Sequence, residues 1–118
     1  MQSPPNPEKL EINSLEIMTL KDVQQNNGQD GKKIFVAIKN IVFDVSDSDS
    51  YKSDGPYGVF AGHDISISLG KMNISEEFLD QYGIVTESED EIANINSWFS
   101  YFYQRYPVIG RIDDKKQN

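Results

Sequence analysis

The sequence predicts one small α+β domain, and three features carry that prediction. Two apolar, β-branched runs, Lys33–Ile38 and Ile41–Val45, are separated only by Lys39-Asn40, the pattern of an antiparallel hairpin. Several later stretches open on helix-capping residues and close at glycine or ahead of proline. Hydrophobic residues make up 37% of the 118, with 6 Phe, 6 Tyr and 1 Trp, enough to close one core of ordinary size.

The elements follow in order. Residues 1–15, with Pro4, Pro5 and Pro7 and no aromatic, read as a flexible N-terminal arm. Thr19 caps a short helix with Asp22 in its first turn, and Asn27-Gly28 ends it. The hairpin comes next, with Asn40 suited to positive φ. Asp44–Asp54 is a polar loop with four Asp and four Ser in eleven residues. It lacks the spacing and terminal Glu of an EF-hand. Asp64 caps a brief helix, Ile65–Leu69, that stops at Gly70. Ser75 caps another that stops at Gly83. Thr86-Glu87-Ser88-Glu89 reads as a capping box opening the longest helix, from about Glu87 to Gln104 or Arg105, because a residue ahead of Pro107 avoids the α region. Val108–Ile112 returns as a strand, and 113–118 is a flexible tail. The domain proper is 16–112.

Charge and composition remove several functions. A net charge of −8 has the wrong sign for nucleic acid or an anionic membrane surface. Without cysteine there is no disulfide scaffold, thiolate metal site or thiol nucleophile. With one histidine, His63, the chain cannot build a His-pair metal site or a bis-histidine haem. No apolar run reaches membrane-span length and no signal-peptide core is present, so the expectation is a chain that is soluble as given. The usual nucleophile–base constellations and phosphate-binding glycine loops are missing too, which argues against an enzyme.

The densest information lies in Tyr51-Lys52-Ser53-Asp54-Gly55-Pro56-Tyr57-Gly58-Val59-Phe60-Ala61-Gly62-His63-Asp64. Glycines this close together allow tight turns or a close approach to a flat ligand, and Pro56 fixes the direction from which Tyr57 projects. If an iron porphyrin were bound, residue chemistry leaves Tyr57 or His63 in this segment as ligand, with Met18 and Met72 outside it. His63 stands just ahead of a helix cap and reads as a solvated side chain. Trp98, Phe99, Tyr101, Phe102, Tyr103 and Tyr106 crowd the last helix; Trp98 and Phe102 read as core, Arg105 and Tyr106 as better placed for a ligand's polar edge. The acids Glu87, Glu89, Asp90 and Glu91 complement the dipole of that helix.

Ile34–Ile38, Val42-Phe43-Asp44-Val45, Tyr51, the run Gly55 to Gly62 and Asp64 together resemble the membrane-associated progesterone receptor family, the tyrosine-liganded branch of the cytochrome b5-like haem/steroid-binding fold. Trp98, Phe102, Arg105-Tyr106 and Gly110-Arg111 are similar to that family's C-terminal block, so the likeness runs from about Ile17 to Ile112. It implies a small mixed sheet with short helices forming a haem cleft. It also implies haem b, with Tyr57 as axial ligand of ferric iron and Tyr51, Arg105 and Tyr106 as pocket partners. Departures include Lys52-Ser53 where Gly-Pro is common, His63 where Arg is common and Arg105 for a frequent Lys. A free phenol ionises near pH 10, so binding iron as phenolate at neutral pH costs about 4 kcal/mol, which ferric iron can supply as a Lewis acid.

The expectation is a non-catalytic haem protein that senses or delivers haem or regulates a cytochrome P450-type partner, with a haem-mediated homodimer as a further implication. The alternative is a haem-independent steroid-binding or interaction module. The resemblance also implies relatives anchored in endomembranes.

Overall fold

The turn between the two apolar runs organises the sheet. Lys39 and Asn40 both take positive φ, 52° and 65°, the conformation whose twist matches a two-residue hairpin. Lysine is poorly suited to it, and the Lys39 N–H is held by donating to the Ser66 hydroxyl at 2.9 Å. The computed structural model describes residues 10–113. The expected tail after Asp113 and most of the expected arm therefore lie outside the described residues. Of the arm's last part, residues 12–14 form a single 3-10 turn, and Leu10 and Leu15 pack against the core.

The hairpin strands β2 (Phe35–Ile38) and β3 (Ile41–Asp44) pair with Val36 opposite Phe43 and Ile38 opposite Ile41. β5 (Val108–Ile112) lies antiparallel to β3. Two strands that sequence reading missed, β1 (Ile17–Met18) and β4 (His63–Asp64), run parallel to β5 and β2 at the two edges. The result is a mixed five-stranded sheet in the order β1-β5-β3-β2-β4. Two-residue strands carry no periodicity of their own; only their partners reveal them.

Both sheet faces are covered, which is why the strand runs are continuously apolar rather than alternating. Val36, Ile38, Ile41 and Phe43 point into the main core, while Ala37 and Val42 point to the other side with Met18, Val23 and Ile112. Over the second face lies α1 (Leu20–Gln25), closed by the Thr19–Asp22 capping box and burying Val23. The main core is roofed by α2 (Ser66–Lys71) and α3 (Glu89–Arg105). Phe43 meets Phe99 and Phe102 edge-on at ring distances of 5.7 Å. Burying Phe102 completely is worth about 1.5–3 kcal/mol.

Three helix boundaries differ from expectation, each for a local reason. α2 continues through Gly70 and stops at Met72, which takes a left-handed φ of 52°. Gly70 stays helical because α3 needs its missing side chain: a Cβ there would stand 3.0 Å from Ile95 and 3.2 Å from the Glu91 carbonyl. The helix expected from Ser75 to Gly83 is one 3-10 turn, Glu76–Phe78, after which Asp80 turns to φ 60°. Its carboxylate is claimed by His63 and by the Asp64 amide, so the chain cannot stay helical there. The capping box of α3 is Ser88 with Glu91, two residues later than expected.

Candidate ligand-binding cleft

The segment from Tyr51 to Gly62 is a stack of tight turns tied to the sheet at both ends. The Val45 amide donates to the Ile34 carbonyl and the Gly62 amide to the Phe35 carbonyl. Between them, Gly55 N–H reaches the Lys52 carbonyl and Tyr57 N–H the Ser50 carbonyl, both at 2.8 Å. The turns pack so closely that a Cβ on Gly55 would lie 2.5 Å from the Ser50 oxygen, well inside contact distance. Tyr57 thus leaves a rigid base. Its ring is 42% exposed, stacked on Phe60 with an interplanar angle of 6° and 6.0 Å from the ring of Tyr51.

Tyr57, Tyr51 and Phe60 form one wall of a cleft of about 180 Å³. Ser68 and Leu69 of α2, the following Met72-Asn73-Ile74 and Trp98 of α3 complete it. None of these lining residues is charged. Met72 and Ile74 are 73% and 53% exposed, so apolar surface continues outward from the cleft. Among the described residues no group of three His, Asp or Glu could hold a bare metal ion.

Of the four residues expected at the site, Tyr57 and Tyr51 line the cleft. Tyr51 is buried, and that burial pushes its phenol well above the ordinary range; neighbouring Tyr106, Tyr101 and Tyr57 and a hydrogen bond to Tyr106 add to the shift. It is therefore a protonated donor at any physiological pH. Tyr106 stands behind it, edge-on at 6.2 Å, rather than in the cleft. Arg105 is exposed and lies over the Tyr101 ring at 4.8 Å; it does not line the cleft. Trp98, read as core, packs partly on the core and also forms a cleft wall. Sequence reading missed Ser68, Leu69, Asn73 and Ile74 as lining, and noted Met72 only as a thioether outside the glycine-rich segment. The only hint was apolar Met72 and Ile74 standing where a helix ends.

His63 belongs elsewhere. Its Nδ1 is 2.7 Å from Asp80, and it borders a separate polar depression with Asn27, Gln29 and Glu76. The hydrogen bond to Asp80 raises its pKa, against its partial burial. Burial pushes Asp80 up, but His63, the Asp64 amide and Gln24 outweigh it and hold the carboxyl below its usual range. Asp64, 4% exposed, is pushed up to about 7 by burial despite hydrogen bonds from Ser66.

The signs combine. Asp64 and His63 both bind protons more tightly when folded, so their contribution is full at low pH and is lost as pH rises. For Asp64 the loss runs from about pH 4 to 7, amounting to at most about 4 kcal/mol; for His63 it begins near 6.5. Asp80 acts oppositely, stabilising above 3.8 and failing below its lowered pKa. Stability should therefore fall between pH 5 and 8. Asp64→Asn, which keeps an acceptor for the Ser66 amide, should flatten most of that slope and stabilise the protein at pH 8 by about 1–3 kcal/mol. Urea unfolding of parent and variant at both pH values measures it; parallel slopes would discard Asp64 as the cause.

The fold and the cleft together define a cytochrome b5-like haem- or steroid-binding domain. A family model described as "Cytochrome b5-like Heme/Steroid binding domain" matches residues 19–113, and the chain belongs to that family. Within it, the chain is 44% identical over 96 residues to Probable steroid-binding protein 3 of Arabidopsis thaliana, across 80% of this chain and 95% of that protein. It is 33% identical to a cytochrome P450 regulator of Schizosaccharomyces pombe and 30% identical to membrane-associated progesterone receptor component 2 of Homo sapiens. The match covers 80% of this chain in both cases, but 61% and 44% of those two proteins. A solved structure from Arabidopsis thaliana, described as having a cytochrome b5 like fold, superimposes with a TM-score of 0.71 at 40% identity, covering 92% of this chain and 98% of that one. The α+β fold expected from the resemblance is thus the observed one. Among the described residues no helix is long and apolar enough to cross a membrane.

Proposed function

We propose that this cleft binds haem b with Tyr57 as the axial ligand of ferric iron, and that the protein is a non-catalytic haem sensor, carrier or haem-dependent regulator. One observation carries the reading: a half-exposed phenol projects from a tightly packed turn into an apolar, uncharged cleft, while the lone histidine is engaged by Asp80 outside it. The donor set suits the group. A phenolate is a hard anion that matches ferric iron, and the flat apolar walls of Leu69, Ile74 and Trp98 match a porphyrin. A cleft of this size would enclose only part of a macrocycle, and exposed Met72 and Ile74 extend its apolar surface outward.

Bound haem supplies a Lewis-acidic iron with an absorbance signature. The chain would supply the rest: Tyr57 would hold the iron, protonated Tyr51 would back the cleft and Tyr106 buttress Tyr51, while Arg105 would have to leave the Tyr101 ring to serve as counter-charge for the propionates. The uncovered macrocycle face is a large apolar surface and favours a partner, either a second copy of this chain or an enzyme of the cytochrome P450 type. The likeness to a P450 regulator supports the latter. The net charge of −8 opposes a homodimer, so added salt should strengthen it. A second reading, a haem-independent steroid-binding or interaction module, is favoured by the apolar lining and by relatives named for steroid binding.

The test is absorbance titration with hemin of the parent and of His63→Ala. Both should develop the same Soret band and the charge-transfer band of five-coordinate ferric haem. No spectral change in the parent would refute haem binding; a band lost only in His63→Ala would hand the iron to imidazole.

A further inference from the structure

One polar atom of the cleft has no task within the protein. Ser68 is 1% exposed, and its Oγ is buried without a hydrogen-bond partner among the described residues. Its neighbour Ser66, equally buried, has a structural role in accepting the Lys39 N–H. A serine inside a helix ordinarily bonds back to the carbonyl four residues earlier. For Ser68 that is Asp64, whose carbonyl is engaged by the Asp80 amide at 2.9 Å. Burying an unpaired hydroxyl is costly, so its presence calls for a partner that arrives from outside.

Ser68 is part of the cleft wall, among Leu69, Phe60, Met72, Ile74 and Trp98. With no charged group lining it, this interior disfavours a carboxylate or phosphate and favours a neutral group. A serine needs only rotation about one χ angle to present its oxygen, which then donates to a ketone or accepts from an alcohol. We propose that Ser68 is the recognition contact that orients a neutral, oxygen-bearing polycyclic lipid in this cleft, polar end inward and apolar rings against Leu69 and Trp98. The assignment rests on the reading of the cleft as a ligand site and is independent of iron ligation by Tyr57.

The experiment uses Trp98, the chain's single tryptophan and a cleft wall, as a fluorescence reporter of occupancy. Progesterone is the probe, titrated into the parent and Ser68→Ala, with hemin titration and urea unfolding run on both. Ser68→Ala should weaken progesterone by about tenfold, the loss expected for one hydrogen bond, and leave the unfolding midpoint equal or higher. Equal progesterone affinity in the two proteins, or a lowered midpoint in Ser68→Ala, would overturn the role. A parent that takes hemin but not progesterone up to its solubility limit overturns this inference and leaves the haem reading standing. Progesterone binding without hemin uptake does the reverse.

Discussion

Tyr57→Phe should lower ferric haem affinity by about a hundredfold or more, roughly 3 kcal/mol at 1.4 kcal/mol per decade, and leave the fold untouched. The two halves of that expectation have separate origins. The ring is retained, so its stacking on Phe60 and its position beside Tyr51 survive, and a side chain already 42% exposed contributes little through its hydroxyl to folding. The oxygen is lost, and the other phenol of the cleft, Tyr51, is buried and held protonated, so it does not replace it. His63 is bound to Asp80, and Met18 is buried on the other side of the sheet. Met72 does line the cleft, but a thioether is a soft donor and no substitute for a hard anion on ferric iron. Hemin titration followed at the Soret band, with urea unfolding of the apo protein, reads both halves. An unchanged spectrum and affinity would remove Tyr57 as ligand.

Gly55→Ala should do what Tyr57→Phe does not, and damage fold and site together. The added methyl would lie 2.5 Å from the Ser50 oxygen and 2.7 Å from the Ser50 carbon, both backbone atoms that no side-chain rotation can clear. That same Ser50 carbonyl accepts the Tyr57 N–H, so relieving the clash displaces the residue proposed to hold the iron. Overpacking of this kind costs about 1–3 kcal/mol, a large share of the stability of a domain this size. The expected result is a lower urea midpoint and hemin affinity reduced by about tenfold or more. A variant matching its parent in both would mean that the turns yield more easily than their packing implies.

Much of the fold was legible because the relevant interactions are local. The Thr19–Asp22 cap closes within four residues, the hairpin turn within two, and Pro107 ends α3 by steric exclusion of its neighbour; the α3 box, with Thr86 and Ser88 both offering a cap, was read two residues early. Where local signals competed with distant ones, reading failed. Ser75 with Glu76 and Glu77 signals a helix, but the Asp80 carboxylate is drawn to His63 and Asp64, sixteen or more residues away, and the helix is cut to one turn.

The sequence by itself determined the fold class, the family, the exclusion of thiolate and bis-histidine chemistry, and Tyr57 in a glycine-rich turn as the residue to examine. Only the tertiary structure decided what surrounds it. It buried Tyr51, set Arg105 on Tyr101 outside the cleft, and brought Ser68, Met72, Ile74 and Trp98 to face a tyrosine that none of them adjoins in the chain. The physical reason is range. Caps and turns are satisfied by backbone groups a few residues away, whereas a cleft is the space left when α2 and α3 settle on the sheet, and no pattern along the chain encodes that space directly.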